Sequence, residues 1–260
     1  MVLKTVDQLN TELLFPTVPK RIISLVPSIS ELLAHYEPDI SLIGITRFCE
    51  HPLRLRKEKH IVGGTKDPDI KKILELKPDL IIANKEENRK EDIDALRLSC
   101  PVWISDASSL DSGLEMVSEL EGLLQIPTAK KLSATIKSQI NSPLEGISGT
   151  VAYVIWQDPI MIAGNDTFIS SWLNKIGLKN ITKKKRYPEI SIKWLNKQSP
   201  DYIFLSSEPF PFKEKNRLQF QSNCKNSKVV LVDGRLFSWY GKAIIEAPKY
   251  FTRLISSLTA

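Results

Sequence analysis

The stretch DIKKILELKPDLIIANKEE at positions 69–87 contains the pattern that decides the fold. Its apolar residues recur at helical spacing up to Pro78, which ends a helix, and Asp79 then opens the apolar strand DLIIAN. Asp67 and Pro68 precede the helix as its predicted cap and first turn. A helix that leads directly into an apolar strand is typical of an α/β protein.

The same order returns at positions 191–209 as SIKWLNKQSPDYIFLSSEP, with a constant offset of 122 residues. Pro78 then coincides with Pro200, and Asp79 with Asp201. A repeated α/β unit explains this echo. A chance likeness is the alternative, because helix, Pro-Asp and strand form a common connection. In both copies a glutamate follows the carboxyl end of the strand, where open parallel sheets bind ligands.

Strands and helices alternate on both sides of these stretches. The predicted strands are 21–28, 41–46, 79–84, 102–105, 150–156, 202–206 and 228–234, and the predicted helices are 28–35, 69–77, 91–98, 110–124, 166–177, 192–198 and a last one from about Ala243. Ser28 with Glu31, and Asn88 with Glu91, have capping-box spacing. This alternation implies parallel sheets that are covered on both faces.

Between the two α/β regions, residues 110–142 show helical spacing only, and Pro127 suits the first turn of a helix. The sequence therefore predicts an α/β fold with two doubly wound parallel-sheet lobes joined by a single long backbone helix at about 128–141. The predicted domains are an N-terminal extension at 1–19, an N-terminal lobe at 20–126, the bridging helix at 127–142 and a C-terminal lobe at 143–260.

Composition excludes several classes of protein. Of the 260 residues, 42% are hydrophobic and 25% are charged, which excludes disorder, collagen and a disulfide miniprotein. No apolar run in the sequence approaches the roughly 20 residues that a membrane span needs. The net charge of +6 permits an anionic partner but is modest for a chain of this length.

Cysteine usage and the first residues bear on location. Cys49, Cys100 and Cys224 are odd in number and favour a reducing compartment over a disulfide framework. The beginning of the chain carries Asp7 and Glu12 where a secretory peptide needs a basic flank followed by an apolar core. We therefore expect a cytoplasmic protein for the chain as it stands, or a periplasmic one if a leader has been removed.

Motifs in both halves carry a resemblance to a known family. They are RIISLVPSISELL, SLIGITRFCEHP, VGGTKDPDIKKILELKPDLIIANKEENRKEDIDAL and PVWISD in the first half, and MIAGNDTFISSWL, RYPEIS, SSEPFPFKEK and LVDGRLFSWYG in the second. Over 20–258 the chain resembles the class III periplasmic substrate-binding proteins, the helical-backbone receptors of cobalamin, haem, siderophore and metal importers. NKEEN and SEPFPF place the resemblance in the cobalamin-receptor-like, iron-chelate-binding branch.

The resemblance implies two α/β lobes joined by one rigid helix, with a ligand in the cleft between them and no catalysis. The implied function is that of an ABC-transporter substrate-binding protein for a cobalamin-like corrinoid, haem or iron chelate. The alternative is a cytoplasmic ligand carrier, or an enzyme of unknown reaction, built on the same fold without a transporter. No covalently bound cofactor is expected.

Two lysines depart from the family pattern. Relatives that dock on a permease present one acidic residue per lobe, near the start of the helix before the Pro-Asp strand, where this chain has Lys71 and Lys193. Like charges at such contacts oppose binding to the usual permease, so this departure predicts a protein that stays in the cytoplasm or docks a permease with reversed charges. The alternative is that both lysines simply lie on solvated helix faces.

Two clusters in the first lobe are candidates for ligand binding. Arg47, Cys49 and His51 follow the second strand, and Lys85 and Glu86 leave the strand DLIIAN. Cys49 and His51 lack a third partner, so no metal site is expected. They are interpreted as a buried or cleft-lining thiol and imidazole, although His51 alone could contact the metal of a chelate. For Lys85 and Glu86 a solvated charge cluster is the alternative.

The candidates in the second lobe are Trp156, Glu208, Trp239 and Tyr240. Flat apolar rings with polar rims suit a planar macrocycle or an aromatic chelate, whereas a place in the core is the commoner role of an aromatic residue. Trp239 and Tyr240 follow a strand and its turn in the sequence SWYG. Of the candidate aromatics Trp156, Phe210, Phe212, Trp239 and Tyr240, we therefore expect the last two to be the least core-like.

Motifs for other chemistry are missing from the sequence. GxSxG, GxxxxGK[ST] and GxGxxG do not occur, so no enzyme activity is expected. The basic run Lys183–Arg186 is short, and a solvated loop explains it better than nucleic-acid binding does. The expected partners are a small metal chelate and a permease, but no nucleic acid, with the protein itself a monomer.

Overall fold

The computed structural model describes residues 2–144 and 146–259, and the chain divides into two compact units. Unit 1 comprises Met1–Ala107, Asp111–Ser138 and Tyr240–Lys242. Unit 2 comprises Ser108–Leu110, Gln139–Trp239 and Ala243–Ala260. Each unit contains a largely parallel sheet and its own core of buried apolar side chains.

Unit 1 begins with a hairpin and continues as alternating strands and helices. The elements are β1 (Leu3–Val6), β2 (Glu12–Phe15), β3 (Arg21–Ser24), α1 (Pro27–His35), β4 (Ser41–Ile45), α2 (Leu55–Glu58), β5 (His60–Ile61), α3 (Ile70–Glu75), β6 (Leu80–Asn84), α4 (Lys90–Arg97) and β7 (Val102–Ser105). Strands β3 to β7 pair in parallel in the order β5-β4-β3-β6-β7. All of β6 is buried, as a central strand covered on both faces should be.

The N-terminal hairpin belongs to unit 1. Strands β1 and β2 pair antiparallel, and the Asp7 carboxylate accepts the N–H groups of Leu9 and Thr11 in the connecting turn. The Gln8 N–H donates to the Ile104 carbonyl at 3.1 Å, which places the turn along the edge strand β7. Residues predicted as a separate extension therefore form part of the first compact unit.

The predicted single long helix at 128–141 is wrong in its first part. After α5 (Leu110–Leu123) come a short 3-10 helix (Thr128–Lys130) and α6 (Ser133–Asn141). Lys131 is extended, and the buried Glu121 carboxylate accepts the N–H groups of Leu132 and Ser133 at 2.6 and 3.1 Å. Because this carboxylate satisfies the first N–H groups of α6, a new helix begins there. The chain passes from unit 1 to unit 2 within α6, after Ser138.

Unit 2 has a parallel centre with antiparallel additions. Its elements are β8 (Gly149–Trp156), β9 (Ile160–Ile162), α7 (Phe168–Lys175), β10 (Leu178–Asn180), β11 (Glu189–Ile190), α8 (Ile192–Gln198), β12 (Tyr202–Ser206), α9 (Glu214–Asn223), β13 (Lys228–Val232), α10 (Gly234–Ser238) and α11 (Lys242–Thr259). The order is β11-β9-β8-β12-β13, and β10 also pairs with β8. Strands β8, β10, β12 and β13 are parallel, whereas β9 and β11 join antiparallel.

The echo in the sequence is confirmed as a structural repeat. Helix α3 corresponds to α8 and strand β6 to β12, with starting residues that differ by the same offset as the two sequence stretches. Strand β6 lies between β3 and β7, as β12 lies between β8 and β13. Lys77 and Ser199, at equivalent positions after the two helices, both adopt a left-handed conformation with φ of 47° and 46°.

The predicted helix caps are wrong in detail. Asp69, not Asp67, caps α3, and its carboxylate accepts the Lys72 N–H at 3.0 Å. Helix α1 begins at Pro27 rather than after Ser28, because proline lacks an N–H and suits the first helical position. Helix α4 follows Arg89, so Asn88 is not its cap.

Candidate functional site

The carboxyl ends of the parallel strands in unit 1 carry a set of hydrogen-bonded segments, 46–54, 62–69 and 85–89, which we call the unit 1 edge. Arg47 and Asp67 link the first two segments, with Arg47 Nη2 at 2.8 and 2.6 Å from the two carboxylate oxygens. The Arg47 N–H also donates to the Gly63 carbonyl at 2.9 Å. Gly64 leaves room for this pair, because a Cβ there would lie 2.3 Å from Asp67 Oδ1.

Phe48 gives the unit 1 edge its apolar surface. Its side chain is 50% exposed, and the Arg47 guanidinium lies 5.2 Å from the ring centroid. A ring held in this way offers a flat face beside a positive charge. The predicted set of site residues omits Phe48, although it stands between two of the members in sequence.

The structure places the predicted site residues Cys49 and His51 in different environments. Cys49 is fully buried, its sulfur lies 3.6 Å from Thr46 Oγ1, and burial raises the pKa of its thiol. His51 is exposed at the same edge. Cys49 therefore lies beneath the surface, where it packs the loop that presents Arg47, Phe48 and His51. No group of three or more His, Cys, Asp or Glu side chains suited to a metal ion occurs among residues 2–144 and 146–259.

The turn after β6 presents Lys85 and Glu86. Asn84 Oδ1 accepts the N–H groups of Glu86 and Glu87 at 2.8 and 3.1 Å, which shapes this turn. Lys85 pairs with Asp106 at 2.6 Å, and the Lys66 ammonium donates to the Glu86 carbonyl oxygen at 2.5 Å. Lys85 is thus held by a carboxylate of its own unit, while the loop that bears it is joined to the segment after β5.

In unit 2 the carboxyl ends of β8, β12 and β13 define the unit 2 edge, which comprises Trp156 and the segments 207–213 and 233–239. Trp156 is the last residue of β8 and is 39% exposed. Phe210 supports it edge-on, with ring centroids 5.7 Å apart. Trp156 thus offers an accessible aromatic face at this edge.

Glu208 is a half-buried acid of the unit 2 edge. Ser238 Oγ donates to its carboxylate at 3.1 Å, and Ser206 Oγ donates to its backbone carbonyl at 2.6 Å. Burial raises the pKa of Glu208, although hydrogen bonds from Ser238 and Trp239 oppose the shift. Gly234 permits the close packing, since a Cβ there would lie 2.3 Å from Ser206 Oγ and 2.6 Å from Glu208 Cγ.

The expectation that Trp239 and Tyr240 are less core-like than the other aromatics is wrong. Both are only 8% exposed, well below Trp156. The Tyr240 hydroxyl donates to the Ala107 carbonyl at 3.2 Å inside unit 1. Trp239 follows α10 directly, and its ring lies 5.8 Å from the Arg235 guanidinium. The residues after β13 form helix α10 instead of a turn, and the SWYG segment at the end of this helix is therefore buried.

Lys71 and Lys193 lie at equivalent positions of the repeat. Each is the second residue of its helix, α3 or α8, after the capping residue Asp69 or Ser191. Lys71 is 88% exposed and lies 4.0 Å from Glu75, and Lys193 is exposed as well.

A family model described as "Periplasmic binding protein" matches residues 22–233, which include the whole unit 1 edge and the unit 2 edge up to its last segment. The chain belongs to the periplasmic binding protein family. A Bacillus subtilis relative named as an uncharacterized ABC transporter substrate-binding lipoprotein is 25% identical over 214 residues, which cover 76% of this chain and 67% of the relative. A vitamin B12-binding protein of Pectobacterium carotovorum is 25% identical over 202 residues, covering 74% of this chain and 73% of the relative.

Solved structures share the fold of this family member. The periplasmic vitamin B12-binding protein of Vibrio cholerae superposes with a TM-score of 0.74 at 20% identity, covering 94% of this chain and 99% of that one. A periplasmic heme-binding protein of Pseudomonas aeruginosa gives 0.77 at 17% identity, with 91% and 92% covered. Among the described residues, no helix has the length and apolar character to cross a membrane.

Proposed function

We propose that this protein is the substrate-binding component of an ABC importer and binds a metal chelate, namely a corrinoid, a haem or an iron-siderophore complex. The proposed ligand contacts are residues at the carboxyl ends of the parallel strands. Family membership supports the binding function over a cytoplasmic carrier or an enzyme built on the same fold. The names of relatives that bind vitamin B12 or heme support the chelate class.

One observation carries the proposal. Each edge exposes a large aromatic ring, Phe48 on unit 1 and Trp156 on unit 2, at the carboxyl end of a parallel strand. Open α/β sheets bind ligands at these ends, and exposed rings of this size suit the flat apolar face of a macrocycle or an aromatic chelate. Arg47, beside the Phe48 ring, and Glu208, in a different segment of the unit 2 edge from Trp156, supply hydrogen bonds for the rim of such a ligand.

Titration calorimetry and absorbance spectra with haemin, cobinamide, cobalamin and a ferric catecholate test the function. We expect one of these chelates to bind with a shifted absorbance band. The F48A and W156A variants should each weaken the binding of that ligand by about 1 to 3 kcal/mol, the range known for bases stacked on aromatic side chains. L98A and L218A remove exposed leucines outside the two edges and serve as controls. Binding of none of the four probes by the parent protein would contradict the proposal.

We infer that the partner is a permease whose docking residues are acidic. The repeat supports this partner, because Lys71 and Lys193 occupy equivalent, exposed positions in the two units. Exposed charges of this kind act mainly on the association rate and its salt dependence. The K71E/K193E double variant should bind such a permease more slowly, whereas K72E/K197E, on the same two helices, should not. Equal association rates for the two double variants would reject Lys71 and Lys193 as docking residues.

Of the two locations left open by the sequence, the relatives favour the periplasmic one. The family is described as periplasmic, and the Bacillus subtilis relative is named a lipoprotein. We therefore propose that the protein works outside the cytoplasmic membrane, as a monomer that presents its ligand to the permease. Fractionation of native cells with an antibody against this chain tests the location.

A further inference from the structure

Asn88 lies where three segments at the carboxyl ends of unit 1 strands meet. Its side chain is buried, and both of its polar atoms are hydrogen-bonded. The Oδ1 atom accepts the Asn84 N–H at 2.8 Å, while Nδ2 donates to the carbonyl oxygens of Leu25 at 3.3 Å and Thr65 at 2.9 Å. Leu25 follows β3, Thr65 lies after β5 and Asn84 ends β6. One side chain thus joins the segments that follow three strands.

The contacts require an amide at this position. Two carbonyl oxygens need donors and one N–H needs an acceptor, and a primary amide supplies both kinds of group from one planar head. Aspartate has the same size but no donors when ionised, so it would place negative oxygens against two carbonyls. Alanine would leave all three backbone groups of Leu25, Thr65 and Asn84 without this partner.

The joined segments are those that carry the proposed ligand contacts. Lys85 and Glu86 lie between Asn84 and Asn88, and the segment around Thr65 carries Asp67, which pairs with Arg47. Lys66 makes a second connection between the same two segments through the Glu86 carbonyl oxygen. The positions of Arg47, Lys85 and Glu86 therefore depend on one connected set of hydrogen bonds.

We propose that Asn88 is a positioning residue that holds the unit 1 edge in its binding-competent shape before the ligand arrives. The proposal rests on the proposed function, since it concerns the same surface. Binding groups that are already fixed lose less conformational entropy when a ligand binds, which is how a residue without ligand contact raises affinity.

Affinity measurements on the full chain provide the first test. N88D should bind whichever of haemin, cobinamide, cobalamin and the ferric catecholate the parent binds, about tenfold more weakly, as expected when buried carbonyls lose their donors. N180D is the matched control, because Asn180 also donates from a partly buried amide, to the Ala163 carbonyl at 2.9 Å, but lies in unit 2 away from either edge. N180D should bind within twofold of the parent. N88A provides the same comparison if N88D does not fold.

Hydrogen exchange in the absence of ligand distinguishes failure of this proposal from failure of the proposed function. In N88D we expect faster amide exchange in 63–67 and 84–88 but not in the parallel strands β3 and β6. If the parent binds none of haemin, cobinamide, cobalamin and the ferric catecholate, the proposed function fails, while this measurement still decides whether Asn88 holds the loops. Unchanged exchange in both segments would overturn the positioning role.

A double-mutant cycle separates positioning from a general loss of stability. N88D and K66M remove two connections between the same pair of segments, so their effects on ligand affinity should be strongly non-additive. N180D and K66M, which act in different units, should be additive within error. Additive effects of N88D and K66M, or a loss of affinity in N180D equal to that in N88D, would reject the proposal.

Discussion

Asp79 and Asp201 make the same contact in the two units. Asp79 Oδ2 accepts the Arg21 N–H at 2.9 Å at the start of β3, and Asp201 Oδ2 accepts the Thr150 N–H at 2.7 Å near the start of β8. In each unit the aspartate that follows the repeated proline therefore joins the strand after it to the neighbouring strand of the sheet. The Pro-Asp pair is a structural device of the repeat rather than part of a binding surface.

The contact predicts a pH-dependent contribution to stability. Hydrogen bonds from Thr150 lower the pKa of Asp201, so its stabilising effect is present above the unfolded pKa of about 3.9 and is lost as the pH falls through the lower folded value. Because the Asp201 carboxylate is almost fully solvated, D201A should lower the free energy of unfolding by only about 1 kcal/mol at neutral pH. Urea unfolding at pH 3 to 7 should show the difference from the parent shrinking toward low pH. A difference that stays constant over this range would refute the assignment.

Glu208 should have the opposite effect on stability. Burial raises the pKa of Glu208, so ionisation of this carboxyl group destabilises the folded state. The free energy of unfolding should therefore fall as the pH rises from the unfolded pKa of about 4.3 through the higher folded value. E208Q keeps an acceptor for Ser238 and removes the charge. We therefore expect E208Q to be at least as stable as the parent at pH 7 and to lack the parent's fall in stability between acidic and neutral pH. Denaturant unfolding at several pH values checks this, with E50A as an exposed control.

Trp239 and Trp156 should respond differently to truncation. Trp239 is almost completely buried, so W239A should lower the free energy of unfolding by about 3–5 kcal/mol, the range for aromatic residues lost from a core. Trp156 is partly exposed at the end of β8, so W156A should cost much less stability and act mainly on ligand affinity. Thermal unfolding and calorimetry of both variants measure the contrast. Equal destabilisation by the two substitutions would contradict it.

The Glu121 carboxylate should determine where α6 begins. It is buried and accepts hydrogen bonds from the Tyr36 hydroxyl at 2.8 Å, the Ser133 hydroxyl at 2.5 Å and the N–H groups of Leu132 and Ser133. E121A leaves these donors without a partner and should destabilise the protein by about 3 kcal/mol. E119A, on the exposed face of the same helix, should change stability by less than about 0.5 kcal/mol. Faster amide exchange at 132–136 in E121A but not in E119A would support the capping role.

Several elements could be predicted from the sequence because their signals are local. Strands β4, β7 and β12 and helix α8 match the predicted ranges closely, since apolar runs and helical spacing report burial directly. The repeat was visible for the same reason. The N-terminal hairpin and the antiparallel strands β9 and β11 were missed, because such short strands carry weak periodicity.

The candidate site was predicted less completely. Arg47, Lys85, Glu86 and Trp156 lie at the expected strand ends, and Phe48 could have been found from its place beside Arg47. Cys49, Trp239 and Tyr240 are buried, which depends on how the following segments fold back over them. The prediction that Asn88 caps a helix is wrong, because its hydrogen-bond partners lie up to 63 positions away in the chain.

The sequence by itself determined the α/β class, the repeated helix-to-strand connection and the edges at which polar and aromatic residues gather. All of these follow from the spacing of apolar residues and from prolines that end helices, which are properties of neighbouring positions. Only the tertiary structure decided which aromatics are accessible, where α6 begins and which amide holds the unit 1 edge together. These features depend on hydrogen bonds and burial between residues distant in sequence, such as Glu121 with Tyr36 and Asn88 with Leu25.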